Sequence, residues 1–256
     1  MHNPEDYEES FDPDAYFEHY FGKKSIEDGT RISLFSLPVF AQMIKQSLPK
    51  EQRMTLLDVG AGPTVYSAVC FRDVVERAYM TDFVQKNLTS LTDWTNGVSS
   101  HDWQPTMRVI LRTEGISGST YNELDRVEKR TRELVHAGGV LFSNVHASPC
   151  VPDLPEDTVD VLVSVFCLES ACKNMEEYER CLKNMLEHLR PGGKFIIGSV
   201  IDDNIYNAGN HRMFWLLRLS EEQIVAALAK AGLDIDNRKA YVLEDEGVMF
   251  AMLTKL

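Results

Sequence analysis

Apolar and polar positions change period several times along the chain, and each change marks an element. The compact apolar run Met54-Thr55-Leu56-Leu57-Asp58-Val59 ends in Gly60-Ala61-Gly62-Pro63-Thr64, and the spacing that follows through Cys70 and Phe71 is helical. This is strand, glycine turn, helix. A second short strand, Ala78 to Thr81, ends at Asp82, 22 residues after Gly60. Further apolar runs lie at Val140 to Phe142 (ending near Asn144), Val159 to Phe166 and Lys194 to Ile201, separated by helical or loop segments. Strands alternating with helices predict an α/β fold, a mostly parallel sheet with helices on both faces. Arg238 to Leu243 and Val248 to Leu253 flank an acidic turn, Glu244-Asp245-Glu246-Gly247, and predict an antiparallel hairpin at the sheet edge.

The helices carry their own signals. Tyr178, Leu182, Met185, Leu186 and Leu189 share one buried helical face, which Pro191-Gly192-Gly193 stops in a turn. Ser220 with Gln223 forms a capping box whose helix runs to Gly232. Asp12-Pro13 starts an N-terminal helix that sets Tyr16 with Tyr20 and Phe17 with Phe21 at i, i+4. That aromatic stripe fits either packing on the body of the fold or a lid over a ligand. Residues 97–139 read as an insertion, with a charged, solvated surface helix from Tyr121 to His136. No repeat or low-complexity linker divides the chain, so we expect one domain over 1–256, with 1–50 as an N-terminal segment.

Composition narrows the function. Lys plus Arg number 26 and Asp plus Glu 39, a net charge of −13, with the basic residues scattered. Nucleic-acid binding needs clustered Lys and Arg to neutralise phosphates, so that class is excluded, and a neutral or cationic small partner fits better. No apolar run is long enough to span a membrane, and the acidic start is unlike a secretory signal. Five cysteines (70, 150, 167, 172 and 181) are odd in number for a disulfide framework and lack close pairs; the histidines lack compact metal spacing. We therefore expect a cytoplasmic protein without a metal site, and a monomer.

The turn Asp58-Val59-Gly60-Ala61-Gly62 lets backbone approach a ligand, and Asp82 at the end of the next strand is placed to take two ribose hydroxyls. That constellation serves a nicotinamide dinucleotide or S-adenosylmethionine equally. Val65 stands where a dinucleotide fingerprint wants its third glycine, which weakens the diphosphate case and leaves a dehydrogenase as a distant reading.

The run Leu57 to Tyr66, with Gly62-Pro63-Thr64-Val65-Tyr66, closely resembles the first motif of the methyltransferases acting on phenylethanolamine, nicotinamide, indolethylamines and thioethers. Phe11-Asp12-Pro13, Met80 to Phe83 with Asn87, Asp102-Trp103, Phe166-Cys167-Leu168-Glu169, Leu189 to Gly193 and Tyr206 to Gly209 extend the resemblance over almost the whole chain. It implies a Rossmann-like seven-stranded sheet with an N-terminal helical lid, and S-adenosylmethionine as the methyl donor. In the same terms it assigns Gly60 and Gly62 to the methionine part of the donor, Thr64 and Tyr66 to its carboxylate, and Tyr16 to closing that end. Asp82 would hold the ribose and Phe83 the adenine face. Asn87 would fix the methionine or ribose side, and Asn144, Val145 and Val165 would line the adenine side. Asn144 stands where relatives commonly carry Asp, and its amide oxygen still accepts hydrogen bonds; Phe21 stands where a second Tyr is usual, so one hydrogen bond to the donor is expected to be missing, and neither change excludes binding.

Methyl transfer from a sulfonium needs a lone pair in line with the methyl carbon, and no covalent nucleophile. An aliphatic amine arrives as ammonium, so carboxylates that attract it and accept its proton suit the acceptor site. By motif, Glu169 and Asp203 fall at such catalytic positions and Glu244 at a substrate-binding one, where Asp245 or Glu246 can replace it. Phe166, Tyr206 and Phe214 or Trp215 fit an aromatic wall around an arylalkylamine, and Tyr20, with Tyr16 and the first helix, would cap the site. Ser199 occupies the place of the Asp that holds a carboxamide in nicotinamide-type members, which disfavours that acceptor. The expectation is an S-adenosylmethionine-dependent N-methyltransferase for a small, arylalkylamine-like amine; nicotinamide, other pyridines or thioethers are alternative acceptors, and a donor-binding protein without turnover is the non-enzyme alternative.

Overall fold

The computed structural model describes residues 1–28, 33–116, 120–243 and 247–256. Among the described residues there are nine strands: β1 (Thr55–Val59), β2 (Arg77–Asp82), β3 (Gly139–Phe142), β4 (Val159–Val165), β5 (Leu189–Val200), β6 (Ile205–Asn207), β7 (Met213–Trp215), β8 (Lys239–Leu243) and β9 (Val248–Thr254). The seven-stranded sheet has the order β3-β2-β1-β4-β5-β9-β8, and β6 pairs with β7 in a separate two-stranded sheet. Strands β1 to β5 run parallel, while β9 is antiparallel to both β5 and β8. This is the expected architecture, terminal hairpin included.

The helices are α1 (Tyr7–Ser10), α2 (Pro13–Tyr20), α3 (Lys23–Asp28), α4 (Ser33–Ser47), α5 (Tyr66–Phe71), α6 (Gln85–Thr95), α7 (Gln104–Thr113), α8 (Tyr121–Gly138), α9 (Leu168–Ala171), α10 (Met175–Leu186) and α11 (Glu221–Lys230). Strand alternation divides the core. Leu56, Met80, Val163 and Ile196 pack on one face with α4, α5, α7 and α8, whereas Leu57, Tyr79, Leu162 and Ile197 pack on the other with α10 and α11. The predicted helix starts are all capped: Asp12 accepts from Ala15 N, and Ser220 and Gln223 satisfy each other's backbone N–H.

Three expectations need correction. The charged helix α8 is not merely a solvated surface element: its Leu124, Thr131, Leu134 and Val135 are buried against the sheet, because the parallel step from β2 to β3 requires a crossover that covers one face. A Cβ on Gly138 would lie 2.5 Å from the Ala78 carbonyl carbon, so glycine sets how closely that helix approaches β2. Second, Pro191-Gly192-Gly193 lies within β5, where pairing jumps from Val159↔Leu189 to Val161↔Lys194; the turn is absorbed as an irregularity in the strand. Third, the small β6–β7 hairpin was not anticipated. It carries a third apolar cluster, in which Phe11, Val84, Ala208 and Phe214 join the N-terminal segment to the end of β2.

Candidate active site

The glycine turn folds as its residues dictate. Gly60 and Gly62 have φ of 75° and 62°, the left-handed region that a side chain disfavours, and a Cβ on Gly60 would sit 2.7 Å from the Cys167 Cβ. Gly60 N and Ala61 N both donate to the Thr81 carbonyl, at 3.0 and 2.9 Å. Gly62 N donates to Asp82 Oδ2 at 2.8 Å, and Val84 N and Asn87 Nδ2 donate to Oδ1 at 2.8 and 3.0 Å. Burial pushes the Asp82 carboxyl above its usual value, and these three donors pull it back towards the ionised form. Asn87 Oδ1 is buried and has no partner among the described residues. Beneath the turn, the buried carboxyl of Asp58 is pushed up to about 7 and accepts a hydrogen bond from Ser67.

A cavity of ≈ 830 Å³ opens at the C-terminal ends of β1, β2 and β4. Parallel α/β sheets bind ligands at that edge. The structure brings to it nearly all of the expected donor-site residues: Tyr16, Gly60, Gly62, Tyr66, Asp82, Phe83, Asn87, Asn144, Val145 and Val165. Phe83 is 46% exposed and lies 5.8 Å from Phe142, ring to ring, which leaves a face open to the cavity mouth. Asn144 accepts from His146 N at 3.0 Å and so shapes the turn after β3. Thr64 is the exception. It is buried outside the lining, and its hydroxyl donates to the Ala61 carbonyl at 2.7 Å, spending on the turn itself the group expected to meet a carboxylate.

The residues expected at the acceptor end, Phe166, Tyr206, Tyr20 and Asp203, all line the same cavity. Phe166 is held at φ 57°, rare for a non-glycine residue, by the hydrogen bond from its N–H to the Gly198 carbonyl at 2.8 Å. Tyr206 and Tyr7 share a hydroxyl–hydroxyl hydrogen bond of 2.7 Å, and Tyr20 donates to the Asn207 carbonyl at 2.9 Å, so the N-terminal segment closes over the hairpin. Asp203 is exposed at the rim, its Oδ1 accepting from Asn204 N and Ile205 N. Glu169 departs from expectation: it is 1% exposed and lies behind the lining, with Oε1 accepting from Val200 N at 2.7 Å and Oε2 buried with no partner among the described residues. Burial pushes its carboxyl up to about 7. Val200, its partner, does line the cavity. Glu244, Asp245 and Glu246 lie outside the described residues. Ser199 is fully buried and does not reach the lining.

Several lining residues escaped the sequence reading. Tyr7 and Glu5 were hidden in the acidic N-terminal run, and Glu5 forms an ion pair with Lys173 at the cavity mouth. His146 also lines the cavity. Its ring meets Cys172 and Cys181, the three ligand atoms lying within 4.8 Å of one another, although no metal spacing is visible along the chain. All five cysteines are free.

Comparison with known proteins agrees with this geometry. Residues 1–256 match the profile of the NNMT/PNMT/TEMT family. A nicotinamide N-methyltransferase of Caenorhabditis elegans is 30% identical over 259 residues, covering 98% of this chain and 90% of that protein. A phenylethanolamine N-methyltransferase of Macaca mulatta is 29% identical, covering 79% and 73%. Among solved structures, the magnesium protoporphyrin IX methyltransferase ChlM from Synechocystis PCC 6803, with bound SAM, superposes with a TM-score of 0.59 at 11% identity, over 99% of this chain and 95% of that one. The chain thus belongs to the NNMT/PNMT/TEMT family of S-adenosylmethionine-dependent methyltransferases.

Proposed function

We propose that this enzyme transfers a methyl group to the nitrogen of a small primary or secondary amine, with the donor at the glycine turn and the acceptor between Phe166, Tyr206 and Tyr20. The observation that carries the acceptor assignment is the pairing of that aromatic wall with carboxylates: Asp203 on the rim and Glu169 immediately behind Val200. The donor fits the residues present. Asp82 is positioned as a ribose acceptor, Asn87 offers a buried oxygen that lacks a donor, and the left-handed glycines leave backbone exposed. When bound, S-adenosylmethionine supplies the sulfonium-activated methyl group and leaves as S-adenosylhomocysteine.

In this reading Phe83, Asn144, Val145 and Val165 enclose the adenine side, and Tyr16 and Tyr66 close the methionine side. Asp203 draws in the ammonium form of the acceptor. Only the neutral amine has a lone pair, so a proton must leave first; Glu169, pushed up to about 7, is matched to accept it near neutral pH, through water at the Val200 edge. The aromatic walls exclude bulk water and orient the nitrogen in line with the methyl group. Glu244, or Asp245 or Glu246 beside it in sequence, is a further candidate for holding the ammonium. Five free cysteines fit a reducing cytoplasm.

A panel of amines, pyridines and thioethers incubated with methyl-labelled donor tests the proposal. Turnover concentrated in arylalkylamines is expected, and falls with Glu169→Gln or Asp203→Asn while donor affinity is retained. Turnover confined to pyridines, the acceptor class of the nicotinamide-acting relative, overturns the amine assignment, as do normal rates in both variants.

A further inference from the structure

The fold gathers His146, Cys172 and Cys181 from separate elements. His146 lies in the turn after β3, Cys172 follows the last residue of α9, and Cys181 sits midway along α10. In sequence they are 26 and 9 residues apart, so no local motif announces them. We propose that His146, Cys172 and Cys181 bind a zinc-type divalent ion at the wall of the cavity.

The donor set suits that metal. Two thiolates and an imidazole favour a borderline-soft ion over calcium or magnesium, which take oxygen ligands. The geometry is close to what binding requires. Tetrahedral zinc with Zn–S of about 2.3 Å and Zn–N of about 2.0–2.1 Å sets sulfur and nitrogen ligands about 3.6 Å apart. Cys181 Sγ and His146 Nδ1 are separated by 3.4 Å, and all three ligand atoms lie within 4.8 Å of one another. The imidazole is already oriented: His146 Nε2 lies 2.9 Å from the Ala171 carbonyl, which can only accept, so Nε2 carries the proton and Nδ1 presents its lone pair to the sulfurs. Metal-binding histidines are typically fixed by such an outer contact to the other ring nitrogen.

Burial and access fit as well. Cys172 and Cys181 are fully buried, while His146 is exposed and lines the cavity, so an ion enters from that side and a water completes its shell. Loading releases both thiol protons to solvent. The bound ion ties the turn after β3, with Asn144 and Val145, to the α9–α10 connection, and so fixes one wall of the cavity independently of what the enzyme methylates.

Titration of the reduced, chelator-stripped full chain with Co²⁺ tests this. The expected result is thiolate-to-cobalt charge-transfer absorption that saturates at one equivalent and is displaced by Zn²⁺. Because losing even an outer contact commonly costs about 10–100-fold in affinity, Cys172→Ser, Cys181→Ser and His146→Ala should each weaken binding by more than about tenfold. Cys167→Ser should leave the absorption unchanged. X-ray absorption of the zinc-loaded wild type, which needs no variant to fold, should show two sulfur ligands and an imidazole. Absence of the charge-transfer band, unchanged affinity in folded ligand variants, a shell of only oxygen and nitrogen, or a Cys172–Cys181 disulfide in place of metal overturns the proposal.

Discussion

Asp82 carries two duties that one substitution strikes together. Its carboxylate braces Gly62 and Asn87 and is the proposed ribose ligand. Asp82→Asn retains an acceptor but removes the charge. Two charge-assisted hydrogen bonds at about 1.5 kcal/mol each predict a loss of roughly a hundredfold in S-adenosylmethionine affinity by calorimetry. Glu169 predicts a pH effect. In the unfolded chain its pKa is about 4.3, whereas burial raises it to about 7 in the fold. Between those values the folded state binds more protons than the unfolded one, so this residue's contribution is full at low pH and is lost as pH rises through 7. Glu169→Gln removes that slope, and relative to wild type should gain up to ~3 kcal/mol between about pH 5 and pH 8, measured by denaturant titration. Asp58 titrates in both proteins and cancels in the difference. At this scale the sequence was legible where function depends on backbone: glycines at a strand end and a carboxylate ending the next strand are fixed by chain proximity. It was illegible where function depends on which partner a side chain finds. Thr64 turns to Ala61, Glu169 to Val200, and His146 to two distant cysteines.

Elements with strong period or caps were readable because local chemistry determines them; Asp12-Pro13 and Ser220 mark their helices unaided. The charged α8 was misread because its many polar residues outnumber a narrow apolar stripe, and the β6–β7 hairpin because three-residue strands show no alternation. That hairpin holds the N-terminal segment through a close approach. Gly209 has φ 94°, and a Cβ there would lie 2.5 Å from the Ala15 carbonyl carbon. Gly209→Ala should therefore push α2 off the hairpin, raising limited proteolysis within residues 1–28 and weakening donor affinity about tenfold or more, with the seven-stranded sheet intact by circular dichroism. Equal protease resistance in both proteins would contradict this account of how the segment is held.

Across the whole molecule, the charge of −13 acts as a field. The proposed acceptors are cations and the methyl donor carries a net positive charge, so both are drawn towards an acidic protein. Raising ionic strength from about 0.05 to 0.5 M, which shortens the screening length from about 14 to about 4 Å, should slow association of a cationic amine several-fold in stopped-flow measurements. Dissociation should change far less. A neutral pyridine should show little of this dependence.

The strand order has a further consequence. β1 and β4 are buried along their whole length and paired on both sides, whereas β6, β7 and β8 are only partly covered. Amide protons in the former should exchange with deuterium only on global opening, and those in the latter through local fluctuations. Half of the pocket thus rests on the most durable part of the protein and half on the least, so substitutions on the proposed acceptor side can be absorbed without endangering the proposed donor side.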